Sequence, residues 1–140
     1  MKLLVDRSRT QVALVLVAIT LASCTSDPTK VDENLFPTDY KKMIWTLVKD
    51  NQKPDPTNIR EAQISEPVLR PLDKIDRYVV CVRFSPRNEK HQYDGPTERI
   101  AYFYKGQVTQ FLDAAPGQCS WATYKPYPEL EKICLGDRCD

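Results

Sequence analysis

The apolar run Val12 to Ile19, Val-Ala-Leu-Val-Leu-Val-Ala-Ile, divides this chain before any fold is considered. Lys2, Arg7 and Arg9 precede it against a single acid, Asp6. A basic stretch, a short apolar run and then small residues form the arrangement of an export signal. Crossing a bilayer takes about 20 apolar residues, so a run this short does not span one. The folded part is therefore expected to begin well after it, in an oxidising compartment where cysteines pair.

The residues that close this segment, Leu21-Ala22-Ser23-Cys24, resemble the bacterial lipobox. The resemblance implies cleavage before Cys24, a diacylglycerol thioether on its sulfur and usually a further acyl chain, such as palmitate, on its amine. Several chains make a stable anchor, because each buried methylene contributes about 0.8 kcal/mol. Position 25 is Thr and not Asp, which by the same resemblance favours the outer membrane, facing the periplasm. Thr25 to Pro37 is polar and holds two prolines, as a flexible tether does. The expected organisation is thus a signal over 1–23, the lipidated cysteine and tether over 24–37, and one domain over 38–140.

Cys81, Cys119, Cys134 and Cys139 remain. An even number in a small exported domain predicts two disulfides. Four cysteines allow three connectivities, and the spacing leans to Cys119 with Cys134 or Cys139, and Cys81 with the other. Closure of Cys134 on Cys139 is the alternative. The short spacing Cys134-x-x-x-x-Cys139 has no histidine near it and is not Cys-x-x-Cys, so neither a metal nor a redox-active pair is expected, and no cofactor.

Within the domain, Tyr40, Met43, Ile44, Leu47 and Val48 recur at helical spacing behind Thr38 as cap, predicting an amphipathic helix that ends near Asn51. Asn51 to Thr57 reads as a loop and Ile59 to Ser65 as a strand. Pro67 to Asp76, with two prolines and alternating charge, reads as a connection. Arg77 to Phe84 is dense in β-branched and aromatic residues and reads as a central strand. It places Tyr78, Val80, Val82 and Phe84 on one face and Val79, Cys81 and Arg83 on the other. Arg99 to Tyr104 and Gln107 to Leu112 flank Lys105-Gly106, a hairpin signal. Its simple register pairs Tyr102 with Thr109, Ile100 with Phe111 and Phe103 with Val108. Ala114 to Tyr127 is irregular, and Pro128 opens a short helix with Leu130, Ile133 and Cys134 inward. The sum is an α+β domain: a small antiparallel meander of three or four strands, an N-terminal amphipathic helix and a short C-terminal one, with the helices over one face.

Tyr78 to Phe84, Arg99 to Tyr104 and Tyr127-Pro128-Glu129-Leu130-Glu131-Lys132-Ile133-Cys134 together resemble a group of small disulfide-containing lipoproteins of Gram-negative bacteria. The resemblance implies a cell-envelope address and carries over no functional residue.

Chemistry is sparse in the sequence. Beyond the signal the net charge is about −1 by counting, which gives no basic footprint for nucleic acid. His91 is the only histidine and sits in a polar loop without an orienting partner. No Gly-x-Ser-x-Gly or phosphate-binding glycine loop is present, so the chain does not read as an enzyme. Arg60, Arg77, Arg83 and Arg99 could bind a small anionic molecule or glycan if they shared a face, although acids are interleaved almost one for one. Tyr102, Tyr104, Trp121, Tyr124 and Tyr127 form the candidate interaction surface, because such residues dominate interface hot spots. The expected function is a membrane-anchored module that contacts an envelope protein or envelope component. A periplasmic binding module for an anionic ligand is the second reading.

Overall fold

The computed structural model describes residues 32–51 and 55–136, so the signal segment, Cys24 and Cys139 lie outside the described residues. In chain order the elements are α1 (Tyr40–Asp50), β1 (Asp55–Ser65), β2 (Val68–Leu72), β3 (Ile75–Arg87), β4 (Thr97–Tyr104), β5 (Gln107–Asp113), β6 (Tyr124–Pro126) and α2 (Pro128–Glu131). The architecture is α+β but mostly β. One antiparallel sheet of six strands runs β5-β4-β3-β1-β6, and β2 also pairs with β3. Central β3 carries β4 along one side. On its other side, β1 pairs with Arg87 back to Val82, and β2 takes over from Val79.

Six strands replace the three or four expected, for identifiable reasons. Pro67 to Asp76 is not a connection: Val68 to Leu72 pairs with Val79 back to Ile75 across the two-residue turn Asp73-Lys74, with Asp73 left-handed at φ 56°. Pro71 is compatible because β2 pairs on one side only, and an edge strand tolerates a missing N–H. β1 opens at Asp55, inside the expected loop. Asp55 Oδ1 accepts from both the N–H and the hydroxyl of Thr57, and the register slips twice around Asn58 and Glu61, both at positive φ. Such bulges erase the two-residue period by which a strand is recognised. β6 adds a short edge inside the segment expected to be irregular.

The β4–β5 hairpin turns at Lys105-Gly106, both at positive φ, as its sequence predicts. Phe103 faces Val108, but beyond it the register shifts, so that Tyr102 faces Gln110, Ala101 faces Phe111 and Ile100 faces Leu112. The extra residue has a packing reason. Strict alternation would put Val108 and Phe111 on opposite faces; one inserted residue lets both pack on the same core. Asp39, not Thr38, sits at the N-cap of α1, with no side-chain cap bond.

The sheet is covered on both faces. Tyr40, Ile44 and Val48 of α1 and Leu130 of α2 bury against Val80, Val82, Phe84, Ala101 and Phe103. On the opposite face Val79, Cys81, Ile100 and Tyr102 are covered by the segment that crosses from β5 to β6, through Cys119, Ala122 and Tyr124. The Cys81–Cys119 disulfide pins that crossover to the middle of β3. This overturns the leaning that placed Cys81 and Cys119 with the C-terminal cysteines. Cys134 is disulfide-bonded too. It is exposed past the single turn of α2, not inward as its helical spacing suggested.

Tyr40 donates from its hydroxyl to Glu66 at 3.1 Å, and Lys125 reaches the same carboxylate at 2.9 Å, linking α1, the β1–β2 joint and β6. Lys125 and the Tyr40 hydroxyl hold the Glu66 carboxyl below its usual range. Burial, then Glu66, pushes the Tyr40 hydroxyl up to about 12. Burial likewise raises Tyr124, which donates to Glu98, and Tyr127. The fold thus favours the neutral phenols. Their stabilisation is complete below the ordinary value of 10.0 and, for Tyr40, is lost as pH rises toward about 12. Urea unfolding across this range should show stability falling with pH, and Tyr40→Phe should flatten part of the slope. An unchanged slope in that variant would contradict the assignment.

Candidate interaction surface

The sheet has two ends of different character. At one, the β2–β3 turn, the β4–β5 turn and residues 32–36 come together. The Lys105 N–H donates to the Glu33 carbonyl at 3.1 Å. Arg77 lies 3.8 Å from the Glu33 carboxylate, and Phe36 meets the Tyr78 ring edge-on with centroids 5.3 Å apart. Leu35 packs over Gly106 so closely that a Cβ there would come within 3.2 Å of it. Residues 32–37, expected from sequence to belong to the flexible tether, are therefore packed against this end of the sheet.

The same end is apolar. Among the described residues, Leu35, Phe36, Val68, Leu69, Leu72, Ile75 and Leu112 are the large hydrophobic residues left exposed, at 39–51%. All but Leu112 belong to this end. Leu72 and Ile75 face each other across the hairpin turn, and Leu69 neighbours Tyr78 across the strand pair. The hairpin runs past the last β4 pairing, so its tip stands clear of the sheet. Isolated exposed aliphatics need no explanation, whereas several gathered at one end of a sheet, Leu69 on one face and Leu72 and Ile75 on the other, make a candidate contact surface. The prolines and alternating charge of 67–76, which read as a connection in the sequence, hide this surface. Four aliphatic residues within Val68 to Ile75 were the available signal.

The five aromatic residues singled out from sequence do not form one patch. Tyr127 is buried under the helices, its N–H donating to the Ala62 carbonyl and its hydroxyl to that of Lys41. Tyr102 is buried on the other face and accepts from Gln118 at 2.7 Å. Tyr124 and Trp121 are half-buried beside it, and the Trp121 N–H donates to the Gln118 carbonyl at 2.8 Å. Tyr104 stays partly exposed between Arg77 and Lys105, whose cationic groups lie over its ring. Arg70 lies over Trp121 in the same way.

The four arginines are dispersed as well. Arg77 and Arg83 flank Val79 and Cys81 along the disulfide face of β3. Arg99 is stacked on Phe111 under the helices, with its Nε 3.1 Å from Asp113. Arg60 is stacked on Tyr93. At the sheet's other end a shallow hollow of about 430 Å³ is lined by Asn88, Asp94, Glu98, Arg99 and Asp113. Asn88 donates to both oxygens of Asp94, so the charges there are already engaged. His91 is exposed in the tight turn beyond β3, at φ 59°. Among the described residues no three His, Cys, Asp or Glu side chains gather to hold a metal ion. No helix among them is long and apolar enough to cross a membrane.

No protein-family model, curated protein or solved structure matches this chain.

Proposed function

We propose that the chain is an exported lipoprotein of the cell envelope, held by lipid on Cys24, and that its domain acts as an interaction module rather than as an enzyme. The observation that carries the reading is the group of exposed apolar side chains at the end of the sheet where residues 32–36 arrive. A stapled domain that leaves Leu35, Phe36, Leu69, Leu72 and Ile75 in contact with water has a surface suited to a partner. The buried Cys81–Cys119 bridge supports export, because such bonds persist in oxidising compartments. The lipobox-like Leu21-Ala22-Ser23-Cys24 supports the anchor, and Thr25 the outer membrane.

Cell fractionation and crosslinking of the tagged full chain test this together. The wild type should sediment with membranes and give anchor-dependent crosslinks to an envelope component. Cys24→Ala should leave most of the protein soluble and lose those crosslinks. Equal membrane retention of Cys24→Ala would remove the lipid anchor from the reading.

A further inference from the structure

We infer that the apolar end of the sheet lies against the surface of the bilayer in which the Cys24 lipid is inserted, with Leu72, Ile75, Leu35 and Phe36 seated at the headgroup boundary. The inference rests on the lipid anchor proposed above and adds what the exposed surface contacts.

The length of the tether bears on it. Glu33 is fixed at this end by Lys105 and Arg77. Eight residues lie between it and Cys24, and the nine steps from Cys24 to Glu33 reach about 32 Å at most at full extension. From the level of Arg77 to the end of β3 at Arg87 the strand advances about 33 Å, and the Asn88–Gly95 loop lies beyond that. A domain inverted on the membrane would need its tether drawn taut along the whole sheet. With the apolar end down, the tether needs no such extension. The surface nearest the lipid is thus also the surface richest in exposed hydrophobic side chains.

The chemistry limits the depth. Asp73 and Lys74 form the hairpin turn, and β2 leaves backbone groups unpaired along its free edge. Neither can enter hydrocarbon without losing hydrogen bonds. Leu72 and Ile75, just behind the turn, can reach the boundary while Asp73 and Lys74 remain among headgroups. Arg70, Arg77, Lys74 and Lys105 are balanced at this end by Asp73, Asp76, Asp32 and Glu33. Contact is therefore carried by apolar burial rather than by attraction to anionic lipid, and it should resist added salt.

The test uses the full lipidated protein reconstituted into vesicles of phosphatidylethanolamine and phosphatidylglycerol carrying brominated acyl chains, which quench nearby tryptophan. Two variants, Ile75→Trp and Leu72→Trp, place a probe at the apolar end; Glu89→Trp places one in the exposed turn at the opposite end. After subtraction of the signal from native Trp45 and Trp121, either near-end probe should be quenched at least about twofold more than the distal one, as for residues buried at the headgroup boundary. Equal quenching of near and distal probes in protein that has entered the vesicles overturns the inference and leaves the anchor intact. So does a near-end probe that stays unquenched in vesicles while a photo-reactive residue at Ile75 captures one protein in cells, since a protein would then cover this surface. Failure of the wild type to enter vesicles, with unmodified Cys24 by mass spectrometry, removes the anchor itself and the inference with it.

Discussion

Replacing Cys81 and Cys119 together by alanine should lower the stability of the domain by about 4 kcal/mol. The bridge closes a loop of 38 residues, and the chain-entropy relation for a loop of that size gives about 4 kcal/mol at 25 °C. The sulfurs are buried at the centre of one face, and alanine leaves only a small void there, so the loop term dominates. Otherwise the crossover from β5 to β6 is held by Cys119, Ala122, Trp121 and Tyr124 packed on Val79, Ile100 and Tyr102, by the Ala114 N–H on the Glu98 carbonyl at its start, and by the side-chain bonds Gln118 to Tyr102 and Tyr124 to Glu98; its remaining backbone bonds are short-range turns such as Ser120 to Gly117 and Ala122 to Cys119. A domain of this size has about 5–15 kcal/mol of stability in total, so the loss is a large share of it. Urea unfolding of the oxidised wild type and the double variant measures the difference. A change below about 1 kcal/mol would mean that aromatic packing alone fixes the crossover and that the denatured chain is already compact.

That bridge also shows where sequence stops informing structure. Oxidation of Cys81 and Cys119 was legible in the signal-like N-terminal segment and the even count, yet their pairing depends on where the crossover passes. Ala114 to Thr123 has no period to reveal that it lies over β3. Along α1 and β3, where the period is sustained, the reading holds: Tyr40, Ile44 and Val48 of α1 are buried together, and the two faces of β3 separate as its alternation requires. The Lys105-Gly106 turn was legible because few dipeptides accept positive φ twice in succession. The strand register beyond that turn was not, because the bulge near Tyr102 answers to the joint packing of Val108 and Phe111 on distant residues.

The candidate surface was misjudged for a related reason. Aromatic residues were favoured as recognition groups, and the fold uses most of them as cover for the sheet. The exposed apolar group is aliphatic and sits on a hairpin that prolines disguise. Pro71 is a sign of an edge strand here, and an edge strand is where unpaired apolar side chains remain. The molecule is consequently polarised. The end that holds residues 32–36 is apolar, and the other end carries the polar Asn88–Asp94 turn and engaged charges. A lipid anchor at the apolar end would leave the polar end facing away from the membrane.

Tyr127→Ala should destabilise the domain by about 3–5 kcal/mol, the range for truncating a large buried aromatic residue. Tyr127 is 1% exposed and joins three elements: it packs with α1 and α2 in the core cluster, its N–H bonds the Ala62 carbonyl of β1, and its hydroxyl bonds the Lys41 carbonyl of α1. Beside it, the Glu131 carboxylate accepts from the Ala62 N–H at 2.8 Å, so α2 is held to the bulged stretch of β1 from both sides. Tyr127→Phe keeps the ring and removes one hydrogen bond, and should cost only about 1 kcal/mol. The pair separates two roles for a residue that the sequence alone offered as part of an interaction surface. A structural role requires the alanine variant to lose stability, and the phenylalanine variant to keep both its fold and any anchor-dependent crosslinks. If Tyr127→Ala unfolded at the wild-type urea midpoint while losing those crosslinks, Tyr127 would belong to a recognition surface instead.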